Sequence, residues 1–198
     1  MPPNDRRTRI LEQAAALFAE KGINGSTVRG IADGVGILSG SLYHHFDSKD
    51  AIVGAIIEEY LEALTQRYTD VVLPQSDPRT RLHELVLASL QVVHEHAHAS
   101  EIYQANRNYF ETSERFRSVR ELASSVQATW AEVIASGVNA GVFRSDVNPR
   151  IFHRFLRDAV FLASRWHRPS EVYGIEDLAE DTARIFLDGF TVPTARVT

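Results

Sequence analysis

Residues 39–44 combine small, hydroxyl-bearing and aromatic side chains, SGSLYH, directly after a glycine-containing turn. Hydroxyl groups hydrogen-bond both bases and phosphates, and small residues let a helix approach the edges of base pairs. A helix that only faces solvent usually carries Glu and Lys at such positions. The pattern therefore favours contact with DNA over a plain helical hairpin inside an all-α core. The candidate DNA-binding residues are Thr27, Arg29, Ser39, Gly40, Ser41, Tyr43, His44 and Lys49.

Two short helices joined by a glycine turn would position these side chains. Thr27 is a good N-cap for the first helix, and Gly36 suits the left-handed turn that ends it. Ser48 is expected to cap a third helix, with Asp50 in its first turn, where a negative charge complements the helix dipole. The inward-facing residues of the second helix are predicted to be Leu38, Leu42 and Phe46. This order describes a helix-turn-helix whose second helix enters the major groove.

The negative net charge of the chain argues mildly against nucleic-acid binding but does not exclude it. The chain of 198 residues has a net charge of −5, whereas DNA-binding domains are often strongly basic. Residues 1–50 contain six Lys or Arg and six Asp or Glu, so the acidic excess lies in the remainder. This balance predicts modest non-specific affinity for DNA. The basic residues that can be placed on one side of the N-terminal region are Arg6, Arg7, Arg9, Arg29 and Lys49.

Other chemistries fit the sequence less well. His94 and His98 lie one helical turn apart, but a di-iron bundle needs a second Glu-x-x-His, and none exists. Gly34 and Gly36 match the first two glycines of a dinucleotide-binding loop, but Ser39 stands in place of the third glycine and no predicted strand precedes them. No G-x-S-x-G motif appears, and the lack of cysteine excludes thiolate metal sites. We therefore expect no catalytic residue, no metal and no cofactor.

The remainder of the chain reads as helical, with no alternating strand pattern. We predict an all-α fold of about nine helices, with a helix-turn-helix domain over residues 1–50 and a helical effector-binding and dimerisation domain over residues 51–198. The helices after the helix-turn-helix are predicted at about 49–72, 78–93, around 102–103, 113–139, 149–167 and 175–191. No 18-residue apolar run and no signal-like segment occurs, so we expect no membrane contact and a cytoplasmic location.

The last two predicted helices are candidates for a homodimer interface. The helix from Pro149 is apolar over an arc too wide for one small helix to bury against its own body. Small residues on both helices permit close packing. The pattern alone fits an ordinary buried core helix equally well. The candidate interface residues are Phe152, Phe155, Ala159, Ala163 and Phe186.

Arginines beside aromatic residues on the helix around Arg157 could bind an anionic ligand that has a large apolar part. The alternative is salt bridging, for example between Arg154 or Arg157 and Asp158. Bulky aromatic residues on other long helices could supply the apolar walls of such a site. The candidate ligand-binding residues are Tyr60, Tyr103, Trp130, Arg157, Phe161, Arg165 and Trp166.

The N-terminal pattern resembles the tetracycline-repressor (TetR) family, closely over about the first quarter of the chain. The matching segments are Thr27-Val28-Arg29, Ile31-Ala32, Gly36, Leu42-Tyr43-His44-His45-Phe46 and Ser48-Lys49-Asp50, with Ala14, Ala15, Leu17, Phe18 and Gly22 upstream. The resemblance implies a repressor that binds a palindromic double-stranded DNA operator as a homodimer. It also favours the dimer interpretation, because family members pair their last two long helices as a four-helix bundle.

Further segments are similar to one branch of that family, the actinobacterial repressors of steroid and cholesterol ring catabolism. The segments are Gly36–Phe46, Ile102–Gln104, Gly141–Asp146, Arg154–Asp158 and Ser164–Pro169. The resemblance implies release from DNA by a CoA thioester of a ring-degradation intermediate. In that branch a Trp stands one turn after the arginine matched by Arg157, whereas this chain has Phe161. The alternatives are a repressor that responds to fatty acyl-CoA or a lipophilic drug, and a helical-bundle enzyme or binding protein with a degenerate helix-turn-helix.

Overall fold

The computed structural model of the protein describes residues 3–190 and contains ten α-helices and no strand in that range. The helices are α1 (Pro3–Gly25), α2 (Val28–Val35), α3 (Ser39–Leu42), α4 (Lys49–Arg67), α5 (Pro78–Glu95), α6 (Ala97–Ala105), α7 (Arg107–Thr112), α8 (Arg117–Asn139), α9 (Pro149–Phe161) and α10 (Ile175–Phe190). The predicted all-α fold is therefore confirmed. None of these helices has the length and apolar character needed to cross a membrane.

Local sequence signals explain where several helices begin and end. The Asp77 carboxylate accepts a hydrogen bond from the backbone N–H of Thr80 at 2.8 Å and so caps α5. The Asn148 side chain caps α9 in the same way, and the proline that follows it occupies a first-turn position that needs no N–H. Gly22 has a φ of 73°, outside the helical region, and interrupts α1 with a kink.

The chain folds into two compact units. The N-terminal unit comprises the residues up to Glu62 together with His96–Leu122, and the second unit comprises Ala63–Glu95 together with the residues from Ala123 onward. In the N-terminal unit α1 packs against both α2 and α6. In the second unit α5 packs against α9 and α10. The boundaries between the units fall inside α4 and α8 and between α5 and α6.

The C-terminal helices differ in detail from the prediction. Helix α9 ends at Phe161, and a short 3-10 segment, Ala163–Arg165, takes the place of its predicted last turn. The helix predicted over 113–139 begins as a 3-10 turn, Glu114–Phe116, before α8 proper. The last helix was predicted to reach Thr191, which lies outside the described residues. Helix α7 was not predicted as a separate element.

Candidate nucleic-acid interface and helical body

The first helix of the helix-turn-helix, α2, begins and ends at the capping residues that the sequence predicts. The Thr27 hydroxyl accepts a hydrogen bond from the backbone N–H of Gly30 at 3.0 Å, which satisfies one free donor at the start of α2. Gly36 ends α2 in the left-handed conformation, with φ 73° and ψ 36°. Its N–H bonds back to the carbonyl of Asp33. The turn then leads directly into α3, the predicted recognition helix.

The predicted DNA-reading residues lie on and around α3. Tyr43 and His44 are exposed, in the turn that follows the helix, and Tyr43 keeps 53% of its surface accessible. Ser39 and Ser41 are half-buried. A Cβ added to Gly40 would meet no atom within 4 Å, so the backbone there is open to a close approach. These residues remain at least partly accessible, whereas Leu42 between them is buried, as a helix with one face toward a groove requires.

Leu38 does not face inward as predicted, because it is 80% exposed. Its inward companions Leu42 and Phe46 are buried, as expected. The prediction treated Leu38 as a helical residue one turn before Leu42. In the structure it is the N-cap of α3 with extended dihedral angles, φ −70° and ψ 142°, so its side chain does not follow the inner face of the helix.

Lys49 has a contact that sequence reasoning did not reveal. Its ammonium group donates hydrogen bonds to the backbone carbonyls of Ile23 and Ser26, at 2.7 and 3.1 Å. These carbonyls precede α2, so Lys49 ties the start of α4 to the entrance of the helix-turn-helix. A contact between Lys49 and DNA would therefore compete with these two internal hydrogen bonds. Arg29 remains highly exposed and lies 3.8 Å from Asp33 on its own helix.

The other arginine contacts in the N-terminal unit reduce the predicted basic cluster. The Arg7 guanidinium pairs with Glu59 of α4 at 3.1 Å. It also lies over the ring of Phe46, at 5.1 Å from the ring centre. Arg6 and Arg9 are exposed. Arg7 thus links α1 to α4 through an exposed ion pair.

Asp50 joins the start of α4 to α7 and to the 3-10 turn that follows α7. Tyr109 donates its hydroxyl hydrogen bond to Asp50 at 2.8 Å, and Arg115 pairs with the other carboxylate oxygen at 2.5 Å. The Tyr109 hydrogen bond holds the pKa of Asp50 below its usual value, and Arg115 acts in the same direction. Partial burial, with the Asp50 charge, raises the pKa of Tyr109 to about 12. The sequence indicated Asp50 only as a charge in the first helical turn.

Two of the predicted ligand-binding residues lie in the N-terminal unit. Tyr60 is buried on α4 and donates its hydroxyl to Ser100 at 3.3 Å. Its ring centre lies 6.5 Å from that of Tyr103 on α6. Tyr103 in turn contacts Phe110, with ring centres 5.7 Å apart. The structure therefore brings this predicted pair together, within a buried aromatic cluster.

Trp130 lies in the core of the second unit and takes part in a directed hydrogen-bond chain. Its indole N–H donates to the Tyr68 hydroxyl at 3.1 Å. Ser89 donates its own hydrogen to the carbonyl of Leu85 at 2.6 Å. The 2.6 Å contact between Tyr68 and Ser89 therefore has Tyr68 as its donor. We call this arrangement the Trp130–Tyr68–Ser89 chain, and every donor in it is used.

Helix α9 contributes two further aromatic neighbours of Trp130. Phe161 lies 6.2 Å from the Trp130 ring, so this predicted pair is brought together. His153 stacks on the same indole, 5.6 Å between centres and 19° between planes, and was not singled out from the sequence. Burial lowers the pKa of His153, and the nearby Arg157 charge adds to that shift. Its Nε2 is buried and has no hydrogen-bond partner among residues 3–190.

The three remaining ligand candidates are placed differently. Arg157 donates from Nε and Nη2 to one oxygen of Asp158, at 3.1 and 2.7 Å, which is the salt bridge that the sequence left open as an alternative. Arg165 is exposed, in the 3-10 segment that follows α9. Trp166 is 65% exposed, and its ring centre lies 6.0 Å from that of His167 in an edge-to-face arrangement. These two belong to the surface, whereas Trp130 and Phe161 are core residues.

A small cavity lies where α5, the 3-10 segment and α10 meet in the second unit. It measures about 20 Å³, room for a single water molecule. Its walls are Leu90, Val93, His94, Ala163, Ser164, His167, Pro169, Ile175 and Leu178. No steroid or acyl-CoA fits in this volume, so a large effector would need this region to open or would have to bind elsewhere.

The predicted dimer residues divide into buried and accessible groups. Phe152 and Ala163 are buried within the chain itself, where Phe152 packs edge-on against Phe186 at 5.9 Å. This burial removes both from a surface that a second copy could touch. Phe155 is 64% exposed, while Ala159 and Phe186 are half-buried. Two further apolar side chains that the prediction omitted are exposed on the same helices, Ile151 on α9 and Ile185 on α10.

The fold and the exposed α3 surface define a helix-turn-helix protein with a helical body. A family model described as bacterial regulatory proteins of the tetR family matches residues 10–56, and a tetracyclin repressor-like C-terminal domain matches residues 75–190. The chain belongs to the TetR family. The predicted family and the assignment to regulators instead of enzymes are thereby confirmed.

Individual relatives agree with this assignment over nearly the whole chain. The HTH-type transcriptional repressor KstR2 of Rhodococcus jostii is 41% identical over 188 residues, which is 95% of this chain and 92% of the relative. The structure of the ketosteroid transcriptional regulator KstR2 of Mycobacterium tuberculosis superposes with a TM-score of 0.88 at 36% identity, over 97% of this chain and 98% of that one. AibR, solved with isovaleryl coenzyme A and operator DNA, has a TM-score of 0.78 at 19% identity, over 91% and 97%, and so shares the fold.

Proposed function

We propose that this chain is a homodimeric repressor that binds a palindromic operator and is released by a CoA thioester of a steroid-derived acid. The single observation that carries the DNA-binding part is the accessible surface formed by Ser39, Gly40, Ser41, Tyr43 and His44. It follows a correctly capped α2 and a left-handed Gly36, which is the geometry that places a recognition helix in the major groove. Each protomer would read one half-site, and the half-sites would lie about one helical turn apart.

The exposed apolar side chains of α9 and α10 support the dimer. Phe155 and Ile151 are spaced one turn apart on α9, and Ile185 is exposed on α10. Burial of such a strip against a second copy recovers the hydrophobic free energy that the monomer loses to solvent. Two-fold symmetry of the interface would match the symmetry of a palindromic operator.

The variant Phe155→Glu tests this interface because it places a charge in the strip without touching the buried core. We expect monomers and loss of operator binding together, measured by light scattering and by fluorescence anisotropy. Arg150→Glu changes an exposed residue of α9 that is not three or four residues away from Ile151 or Phe155, so it is the matched control and should remain dimeric. A full dimer in Phe155→Glu would move the interface elsewhere.

The relatives support the choice of effector class, since the solved mycobacterial relative is described as a ketosteroid regulator. AibR, which shares the fold, was solved with an acyl-CoA. Arg157 carries a fixed positive charge one turn before Phe161, so one can meet a carboxylate or phosphate and the other an apolar ring system. Its pairing with Asp158 means that a ligand anion must compete with that carboxylate.

Effector binding would act by shifting a two-state equilibrium. A ligand changes DNA affinity only by binding the DNA-incompetent state more tightly. The 20 Å³ cavity is too small for the proposed effector, so binding in this region would require the surrounding helices to move apart. Helix α4 contributes residues to both units and starts at Lys49, so it is the element through which a rearrangement would reach the helix-turn-helix.

The DNA-binding proposal is tested first with the region upstream of the chain's own gene. DNase footprinting of that fragment should reveal one protected pseudo-palindrome, and anisotropy should give a salt-dependent affinity well above that for scrambled DNA. Protection that fails to appear on any fragment of the neighbouring genes would overturn the assignment as a repressor of those genes.

The effector proposal is tested by titrating the operator complex with a panel of CoA thioesters. The panel holds steroid-ring-derived acids, straight-chain fatty acids and free CoA, and release is followed by anisotropy. We expect release by the ring-derived thioesters, and Arg157→Met should raise the concentration required while leaving operator affinity unchanged. Release by fatty acyl-CoA alone would replace the steroid assignment. An unaltered response of Arg157→Met would leave Arg157 as a salt-bridge residue only.

A further inference from the structure

Leu38 stands at the entry to α3 and is the most exposed large apolar residue of the described N-terminal unit. It is the N-cap of the recognition helix, yet it provides no side-chain hydrogen bond to the first turn. Ser, Thr, Asp or Asn at this position would stabilise the helix by accepting such a bond. The proposed recognition helix α3 therefore lacks a side-chain cap, and a branched apolar side chain is exposed to solvent at its N-cap position.

A single exposed leucine carries no information by itself, since more than half of a protein's accessible surface is apolar. The position of Leu38 is what is informative. It directly precedes Ser39 and Gly40, the first two residues of the proposed recognition helix. An added Cβ at Gly40 meets nothing within 4 Å, so the backbone beside Leu38 allows a groove edge to come close.

We infer that Leu38 is a specificity-determining residue that recognises thymine methyl groups in the operator's major groove. The 5-methyl group of thymine is the apolar feature of that groove, and apolar side chains read it by direct contact. The extended dihedral angles at Leu38, φ −70° and ψ 142°, turn the side chain away from the buried face where Leu42 lies. This inference rests on the proposed operator binding. It extends that proposal by one residue, Leu38, and one recognised base, thymine.

Deoxyuridine tests the contact directly, because it removes the thymine methyl and leaves the base-pairing edge intact. Each thymine of the footprinted operator is replaced by deoxyuridine, symmetrically in both half-sites, and affinity is measured by anisotropy. We expect one or two positions at which replacement weakens wild-type binding by about fourfold per half-site, the effect of exposing one buried methyl group. In Leu38→Ala the same replacement should cost nothing.

Two further variants separate base reading from helix stability and from general surface effects. Leu38→Ser adds a capping hydroxyl and should raise thermal stability, yet it should lose the discrimination between thymine and deoxyuridine. Leu73→Ala truncates a half-exposed leucine of the second unit and should keep the wild-type deoxyuridine profile. Sedimentation without DNA checks whether Leu38→Ala alters self-association.

The outcomes distinguish this inference from the proposed function. Operator binding with an unchanged deoxyuridine penalty in Leu38→Ala overturns the role of Leu38 and leaves the repressor assignment standing. A deoxyuridine penalty at no position overturns methyl recognition altogether. Altered self-association of Leu38→Ala in the absence of DNA would assign the exposed leucine to a contact between copies. Absence of operator binding by the wild type would defeat the proposed function itself.

Discussion

The helix-turn-helix and the core of the second unit treat their polar and aromatic groups in opposite ways. Around α3, Tyr43 and His44 project into solvent, and Leu38 gives no capping bond. In the core, Trp130 and Tyr68 are buried and each polar atom of the Trp130–Tyr68–Ser89 chain has a partner within the protein. Groups left open at the surface are available for a ligand, whereas groups satisfied internally stabilise the fold.

Two sets of predicted site residues that look alike in the sequence differ in their exposure. Tyr43 and Trp130 are both large aromatics at helical spacing beside hydroxyl residues. Only Tyr43 is accessible to an external partner as the structure stands. The difference predicts that substitutions around α3 change DNA affinity at constant stability, while substitutions in the core change stability first.

The largest effect is expected from Trp130→Ala. The change empties a large core site and leaves the Tyr68 hydroxyl without its donor, so the free energy of unfolding should fall by about 3–5 kcal/mol. Urea unfolding monitored by circular dichroism measures this loss, and Trp130→Phe should lose substantially less. A variant as stable as the wild type that fails only to respond to effector would place Trp130 in the effector site instead of the structural core.

Tyr43→Ala comes next and should act on DNA binding alone. Removal of the exposed ring should weaken operator affinity by about tenfold or more, which corresponds to a well-placed contact at a nucleic-acid interface. Thermal unfolding should stay within about 0.5 kcal/mol of the wild type, because a surface side chain is removed. Wild-type affinity in this variant would contradict the assignment of the α3 surface.

Lys49→Met should have an intermediate effect. It keeps the aliphatic stem but loses the hydrogen bonds to the carbonyls of Ile23 and Ser26, so we expect a loss of about 1–2 kcal/mol in stability. The helix-turn-helix should loosen, and operator and non-specific DNA should both bind more weakly. The slope of log affinity against log salt decides the mechanism. An unchanged slope indicates the internal role, and a decrease of about one indicates a phosphate contact.

Tyr109→Phe is expected to have the smallest effect, one that depends on pH. The Tyr109 hydrogen bond lowers the pKa of Asp50, so the stabilisation is present above the unfolded carboxyl pKa of about 3.9 and is lost as pH falls through the lower folded value. The variant should be less stable by about 1 kcal/mol at neutral pH and should converge with the wild type at low pH. Unfolding curves at several pH values measure this. A gap between the two proteins that does not depend on pH would show that Asp50 does not carry the effect.

Much of the helix-turn-helix could be predicted because its signals are local. Thr27 and Gly36 specify the ends of α2 by capping chemistry and by a positive φ, and neither depends on distant residues. The exception is Leu38, where periodicity suggested an inward position. Helical periodicity applies only after the N-cap, and the sequence does not mark which residue that is when no capping side chain is present.

The all-α class, the helix-turn-helix and the family pattern depend on spacing along the chain, so all three could be predicted from the residues alone. Tertiary structure alone decided that Phe152 and Ala163 are buried while Phe155 is exposed, and that Arg157 pairs with Asp158. It also decided that Tyr109 and Arg115 meet Asp50, although both lie far from it along the sequence. The physical reason is that an apolar stripe fixes which residues avoid water, whereas the partner of each residue depends on the packing of elements far apart in the chain.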